Sequence, residues 1–205
     1  MNKKTLIIVC TVLVLVIIGA SVLYQSLEDQ VQLGGLATQP PSETETTVPA
    51  EETAPVETTE AIDYSAPDFA VLDWEGNSVK LSGFEGKPVV LNFWASWCGP
   101  CKSEMPDFEE AYQEYGEQIH FLMVNCTGGR ETVDSAKAFI EDNGYTFPVY
   151  FDTTYEAAAT YGASSIPMTF FIDANGDLVT YGMGALSADL LQTGIDMIHT
   201  PEETE

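Results

Sequence analysis

The chain has 205 residues, with 32 Asp and Glu against seven Lys and Arg and a formal net charge of −25. A chain this acidic repels polyanions, which excludes nucleic acid as a partner and disfavours anionic lipid surfaces and strongly acidic proteins. Beyond Cys98 and Cys101, the candidates Cys10, Cys126, His120 and His199 form no second ligand pair, so no metal is expected.

Lys3 and Lys4 precede an uncharged run of 18 residues from Leu6 to Leu23. That is close to the ~20 residues that span a bilayer as a helix. The lysines favour a cytoplasmic N-terminus, which puts the rest of the chain outside the cytoplasm. A cleaved signal peptide would have an apolar region of ~7–15 residues and a small-x-small cleavage site, and Ile18-Gly19-Ala20 fits one poorly. Residues 1–24 are therefore read as a retained, single-pass signal anchor. Cys10 follows Val9 and the apolar run continues past it, so it reads as a small membrane-helix residue rather than a lipidated one.

Residues 25–63 are dominated by Thr, Glu and Pro, with nine acidic residues and no Lys or Arg. Such a segment buries too little apolar surface to offset its ordering entropy, and self-repulsion and proline keep it extended. It reads as a disordered tether. Thr-rich, Pro-containing stretches can also carry O-linked sugars; a plain spacer is the simpler reading.

Residues 64–205 are enough for one domain with one core. They hold 23 Asp and Glu against five Lys and Arg. Residues 69–72 and 78–81 flank a turn at Glu75-Gly76-Asn77 and predict an N-terminal hairpin. The apolar run 88–94 predicts a buried central strand. It leads into Trp97-Cys98-Gly99-Pro100-Cys101, and residues 101–115 follow with a helical pattern. Two cysteines two residues apart can close a small disulfide. If Cys98 opens the helix, the free N–H groups and the positive dipole end stabilise its thiolate, the attacking species, and Cys101, one turn on, resolves the mixed disulfide. Pro100 is tolerated in a first turn, where its missing N–H has no helical partner, and it stiffens the helix start. Strand, C-x-x-C, helix is a redox arrangement.

Further along, residues 119–125 predict a strand, followed by Cys126, which reads as a lone buried thiol, with a secondary redox role as the alternative. Residues 131–143 carry Val133, Ala136, Phe139 and Ile140 at helical spacing and end at Gly144. Residues 147–151 predict a strand and 155–161 a short helix. Residues 168–172 and 178–181 predict a hairpin around Asn175-Gly176, and 186–198 a closing helix. Alternating strands and helices argue for an α/β domain with a central sheet covered by helices. No internal repeat is evident.

Residues 91–106, Leu-Asn-Phe-Trp-Ala-Ser-Trp-Cys-Gly-Pro-Cys-Lys-Ser-Glu-Met-Pro, resemble the thioredoxin superfamily and, within it, the membrane-tethered TlpA/ResA-like thiol–disulfide oxidoreductases. Residues 165–173 are similar to the family's cis-proline segment, and residues 182–186 to the glycine turn before its last helix. The resemblance covers roughly residues 64 to 205. It implies a thioredoxin-like fold with a central mixed sheet, in which the helix and strand over 131–151 resemble the subfamily's insertion.

The resemblance also implies roles. Cys98 is the nucleophile and Cys101 the resolving thiol; Gly99-Pro100 is the thioredoxin-type dipeptide and leans toward a reducing couple. Pro167 is the cis-proline facing the dithiol, and Ile166 pairs through its backbone with a substrate peptide. Trp97 is an exposed contact for partners, Trp94 belongs to the core, and Gly184 completes the rim of the groove. Asn92 departs from thioredoxin, which places a buried aspartate there to move protons near the resolving cysteine. TlpA/ResA-like proteins carry a glutamate three residues after the second cysteine, and Glu104 holds that position, on the face of Cys101. A carboxylate beside an apolar wall has a raised pKa and can exchange protons; the alternative is one more solvated helix glutamate. Pro106 is expected to kink the helix.

The expected partners are protein thiols and disulfides outside the cytoplasm, with apocytochrome c a common target in the resembled family and a membrane thiol donor as electron source. The redox group is the Cys98–Cys101 disulfide itself, with no separable cofactor. Two other readings stand beside this one. A peroxidase-like redoxin would need Pro and Thr or Ser at fixed positions before its cysteine, and residues 94–97 offer no match. A noncatalytic or copper-handling module would want a distal histidine, and His199 is poorly placed for one.

Overall fold

A computed structural model describes Leu36–Ala37 and residues 64–199. The anchor expected over residues 1–24, and the tether apart from Leu36–Ala37, lie outside the described residues. Among the described residues, no helix is long and apolar enough to cross a membrane.

The elements in chain order are β1 (Leu36–Ala37), β2 (Ala70–Leu72), β3 (Ser78–Lys80), a 3-10 turn (Leu81–Phe84), β4 (Val89–Trp94), α1 (Gly99–Tyr115), β5 (His120–Cys126), α2 (Val133–Asn143), β6 (Val149–Asp152), α3 (Glu156–Thr160), β7 (Met168–Ile172), β8 (Leu178–Met183) and α4 (Ala188–Ile198). The strands form one mixed sheet in the order β1-β8-β7-β4-β5-β6-β2-β3. β4, β5 and β6 run parallel, β7 lies antiparallel to β4, and the N-terminal hairpin joins the sheet beside β6. The expected helix and strand over 131–151 appear as α2 and β6, a crossover returning parallel to β5. β1, inside the segment read as a tether, pairs with β8.

β4 is buried at every position, as expected of a central strand covered on both faces. Its side chains alternate between two apolar layers. Val90 and Trp94 pack with Met105 and Phe108 of α1, Ala136 and Ile140 of α2 and Leu191 and Ile195 of α4. Val89, Leu91 and Phe93 pack on the other side with Val71, Leu122, Ala157 and Phe170. Asn92 falls in the first layer, a polar residue among apolar neighbours beneath α1.

Local chemistry sets the helix ends. α2 starts at Thr132, whose hydroxyl accepts from Ser135 N (3.0 Å) while Ser135 Oγ accepts from Thr132 N (2.9 Å). It stops at Gly144 with φ 70°, a left-handed cap that glycine takes without a Cβ penalty. α4 starts at Ser187, which accepts from Leu190 N. Pro106 lies inside α1, and the helix runs through it.

Candidate active site

The site lies where β4 ends and α1 begins. Cys98 is the N-cap of α1, with extended φ and ψ of −78° and 112°, so its side chain sits over the free N–H groups of the first turn. Cys98 and Cys101 are joined as a disulfide. The Cys101 N–H donates to Cys98 Sγ (3.2 Å), a bond that favours negative charge on that sulfur once it is reduced. Cys98 is 4% exposed and Cys101 fully buried, so Cys98 is the more accessible of the two sulfurs.

The loop before β7 closes the other side. The Ile166–Pro167 peptide is cis. The Ile166 carbonyl oxygen lies 3.8 Å from Cys98 Sγ, where it can accept from the thiol once the disulfide is reduced and Cys98 is protonated. Gly184, at φ 79°, donates its N–H to Pro167 O (2.9 Å), which ties the glycine turn to the proline loop. Cys98, Ile166, Pro167 and Gly184 are thus gathered at one edge of the domain. Trp97, at 44% exposure, stands beside them, whereas Trp94 is buried in the core.

Glu104 is 1% exposed, which excludes the solvated reading. Its Oε1 accepts from Asn92 Nδ2 (2.9 Å) and its Oε2 from Leu186 N (2.9 Å). Burial pushes its pKa up to about 7, with Asp107 adding to the rise and the two hydrogen bonds opposing it. Asn92 faces Thr169 across the β4–β7 ladder, and its Nδ2 also donates to Thr169 Oγ1 (3.0 Å). Its Oδ1 is buried without a partner. Turning that amide over would present Oδ1 to both Glu104 and Thr169. The pocket can therefore serve an ionised carboxylate as an acceptor, or a protonated one as a donor, without moving the backbone.

Two groups near the dithiol were not anticipated. Glu131 is buried, and its carboxylate accepts from Ser96 N (3.0 Å), Ser96 Oγ (2.9 Å) and Ser135 Oγ (3.2 Å). Arg130 stacks on Trp97, its guanidinium carbon 3.8 Å from the ring centroid. Cys126 is buried, and burial, with Asp152 and Glu131 adding, pushes its thiol up to about 12. Such a thiol is protonated at neutral pH and a poor nucleophile, in keeping with the reading of a lone buried thiol. The His120 ring packs against Phe84 and the His199 ring against Tyr115.

Known proteins resemble this chain in sequence and in fold. The AhpC/TSA family profile matches residues 62–181. The thiol–disulfide oxidoreductase ResA of Oceanobacillus iheyensis is 39% identical over 133 residues, covering 62% of this chain and 68% of that protein. ResA of Geobacillus thermodenitrificans is 35% identical over 139 residues, covering 67% and 78%. Among solved structures, the exposed lipoprotein thioredoxin of Streptococcus pneumoniae superimposes with a TM-score of 0.56 at 34% identity, covering 63% of this chain and 99% of that one. StoA of Bacillus subtilis does so at 0.56 with 26% identity, covering 64% and 98%. The mixed sheet flanked by helices is the thioredoxin-like fold expected from the motif. With the Cys98–Cys101 disulfide at the head of α1 and these relatives together, the chain belongs to the AhpC/TSA family, among its thioredoxin-like thiol–disulfide oxidoreductases.

Proposed function

We propose that the chain is an extracytoplasmic, membrane-tethered oxidoreductase that reduces disulfides of protein substrates through Cys98 and Cys101. One observation carries the chemistry: a disulfide whose outer sulfur caps a helix N-terminus and lies against the carbonyl of Ile166. In the reduced protein the Cys98 thiolate attacks a substrate sulfur. A bond forms between Cys98 and that sulfur, and the other substrate sulfur leaves and takes up a proton. Cys101, deprotonated, then attacks Cys98 Sγ and releases the second substrate thiol. The substrate gains two electrons and two protons, and the dithiol closes to the disulfide seen in the structure. A thiol donor must reopen it.

Glu104 takes the proton of Cys101. It sits one turn along α1 on the same face, and a pKa of about 7 makes it a competent acceptor and donor at neutral pH. Trp97, Ile166, Pro167 and Gly184 receive the substrate segment: Trp97 as an apolar contact and Ile166 through its backbone, with Gly184 leaving room at the rim. The thioredoxin-type Gly99-Pro100 dipeptide favours the reducing direction. The flanking lysines and the 18-residue apolar run support the location, as does the description of the pneumococcal relative as an exposed lipoprotein. Apocytochrome thiols are the proposed substrates and a membrane thiol protein the proposed donor, both on the strength of the resemblance. No separable cofactor or metal enters this scheme.

Insulin reduction coupled to a dithiol donor tests the activity, and Cys98→Ala should abolish it. Protease treatment of intact cells tests the location. Release of a soluble fragment cut between residues 25 and 63 is expected, whereas a domain protected until lysis would place it in the cytoplasm.

A further inference from the structure

The domain carries five basic side chains, and three are committed away from the dithiol. Lys80 pairs with Asp68 (3.4 Å). Lys87 donates to Glu117 O (2.8 Å), and Lys137 donates to Trp74 O (2.6 Å) and lies over the Trp74 ring. Lys102 and Arg130 make no ion pair among the described residues. Both adjoin the redox motif: exposed Lys102 follows Cys101 in the chain, and exposed Arg130 lies on the ring of Trp97, the residue before Cys98.

The placement of Arg130 is built rather than incidental. Gly128 and Glu131 exchange backbone hydrogen bonds (3.0 and 2.9 Å) and so close the turn that presents Arg130. Gly128 has φ 149°, and a Cβ there would come within 2.5 Å of the Tyr155 ring, which backs the turn. Glu131, next to Arg130, holds Ser96, next to Trp97, by two hydrogen bonds. Two adjacent contacts, one polar and part-buried, one exposed and stacked, thus join the turn to the segment leading into Cys98. The Glu131 carboxylate is engaged by Ser96 and Ser135, and the guanidinium is left at the surface.

We propose that Arg130, stacked on Trp97, selects substrates with an acidic side chain beside the disulfide to be exchanged. This rests on the exchange reading above and names its substrate class. A guanidinium over an indole ring uses its π face there and not its N–H donors, and its rigid fork matches a carboxylate with two parallel bonds. Stacking also restricts the side chain before binding, so less freedom is lost when the carboxylate arrives. The acidic remainder of the domain does not oppose this. At ~0.15 M salt, charges more than ~8 Å away are largely screened, whereas a contact at the dithiol is not. The preferred partner thus bears a local carboxylate without being strongly acidic overall.

The test uses three disulfide peptides identical except for Glu, Gln or Lys next to the cysteine, reduced by the full chain at ~0.15 M salt. The expected order of kcat/KM is Glu, then Gln, then Lys, with steps of about two- to fivefold, the range of an exposed ion pair. Arg130→Gln should erase the order. Arg130→Lys, which keeps the charge but loses the fork, should leave a reduced one. Because the readout is a ratio between peptides, any general loss of folding or activity cancels. Equal rates on the Glu and Lys peptides, or an order that survives Arg130→Gln, would overturn the inference while leaving the exchange activity standing. Exchange with none of the three would overturn the exchange reading, and the inference with it.

Discussion

Glu104→Gln isolates the buried carboxylate. The unfolded chain releases this proton near the ordinary value of 4.5, whereas burial holds it in the folded chain until about pH 7. Between those values the folded state binds more protons, so this group's contribution to stability is complete below pH 4.5 and falls as pH rises through 7. Each pKa unit corresponds to ~1.36 kcal/mol, so the loss is about 3 kcal/mol above pH 7. The substituted amide cannot ionise and avoids that loss. It can accept from Leu186 N and donate to Asn92, whose own amide turns over to offer the Oδ1 that is now unpartnered. The oxidised protein is the form to use, because its dithiol does not titrate. Thermal unfolding should show the variant and the unmodified protein melting together near pH 4.5. Near pH 8 the variant should melt roughly 10 °C higher, the shift about 3 kcal/mol produces in a domain of this size. His120 has a lowered pKa from burial and from Lys87, so it acts with the opposite sign, but it is common to both proteins and cancels. Glu110→Gln, exposed on the same helix, is the control; Glu109 is unsuitable, since its carboxylate holds Thr146 and Phe147. Parallel melting profiles across this range would refute the buried, proton-holding Glu104. In the reduced protein the same variant should slow exchange near neutral pH, with matching pH–rate profiles as the contrary result.

Three further outcomes follow from particular contacts. Gly194→Ala drives a Cβ into the Phe171 ring inside the α4 contact; overpacking of this kind costs ~1–3 kcal/mol, which chemical denaturation reads directly. Gly128→Ala must displace the Tyr155 ring and adopt a φ of 149°, so the turn carrying Arg130 should loosen. A fall in the protection of that turn against hydrogen exchange would register it, and unchanged protection would contradict the assigned role of Tyr155. Glu131→Ala leaves Ser96 N and Oγ without their acceptor and is expected to destabilise the domain by ~1–3 kcal/mol in the same denaturation assay.

The features legible in the sequence were those set by neighbours along the chain. The apolar run into Cys98, the first-turn Pro100, the 3.6-residue pattern of α2 and its Gly144 stop each have a local cause, and each lies within a few residues of its expected place. β8 runs on to Met183 rather than ending at Tyr181, because Gly182 and Met183 continue to pair with β7. The position of Glu104 on the face of Cys101 followed from helix spacing, but its burial did not. That depends on Asn92, 12 residues back, and on Leu186, 82 residues on. Glu131 was hidden for the same reason. Nothing local separates it from the other acidic residues, and its task is set by Ser96, 35 residues away. The pairing of Leu36–Ala37 with β8 is also long-range, within a segment whose composition reads as spacer.

The division of labour between Cys98 and Cys101 is open to one direct measurement. The Cys101→Ala protein, reduced and then mixed with a disulfide peptide, should stall at the mixed disulfide, since no resolving thiol remains. Mass spectrometry of the digested adduct should find the peptide on Cys98. An adduct on Cys126, or none under conditions where the unmodified protein turns the peptide over, would contradict the assignment of Cys98 as the attacking sulfur.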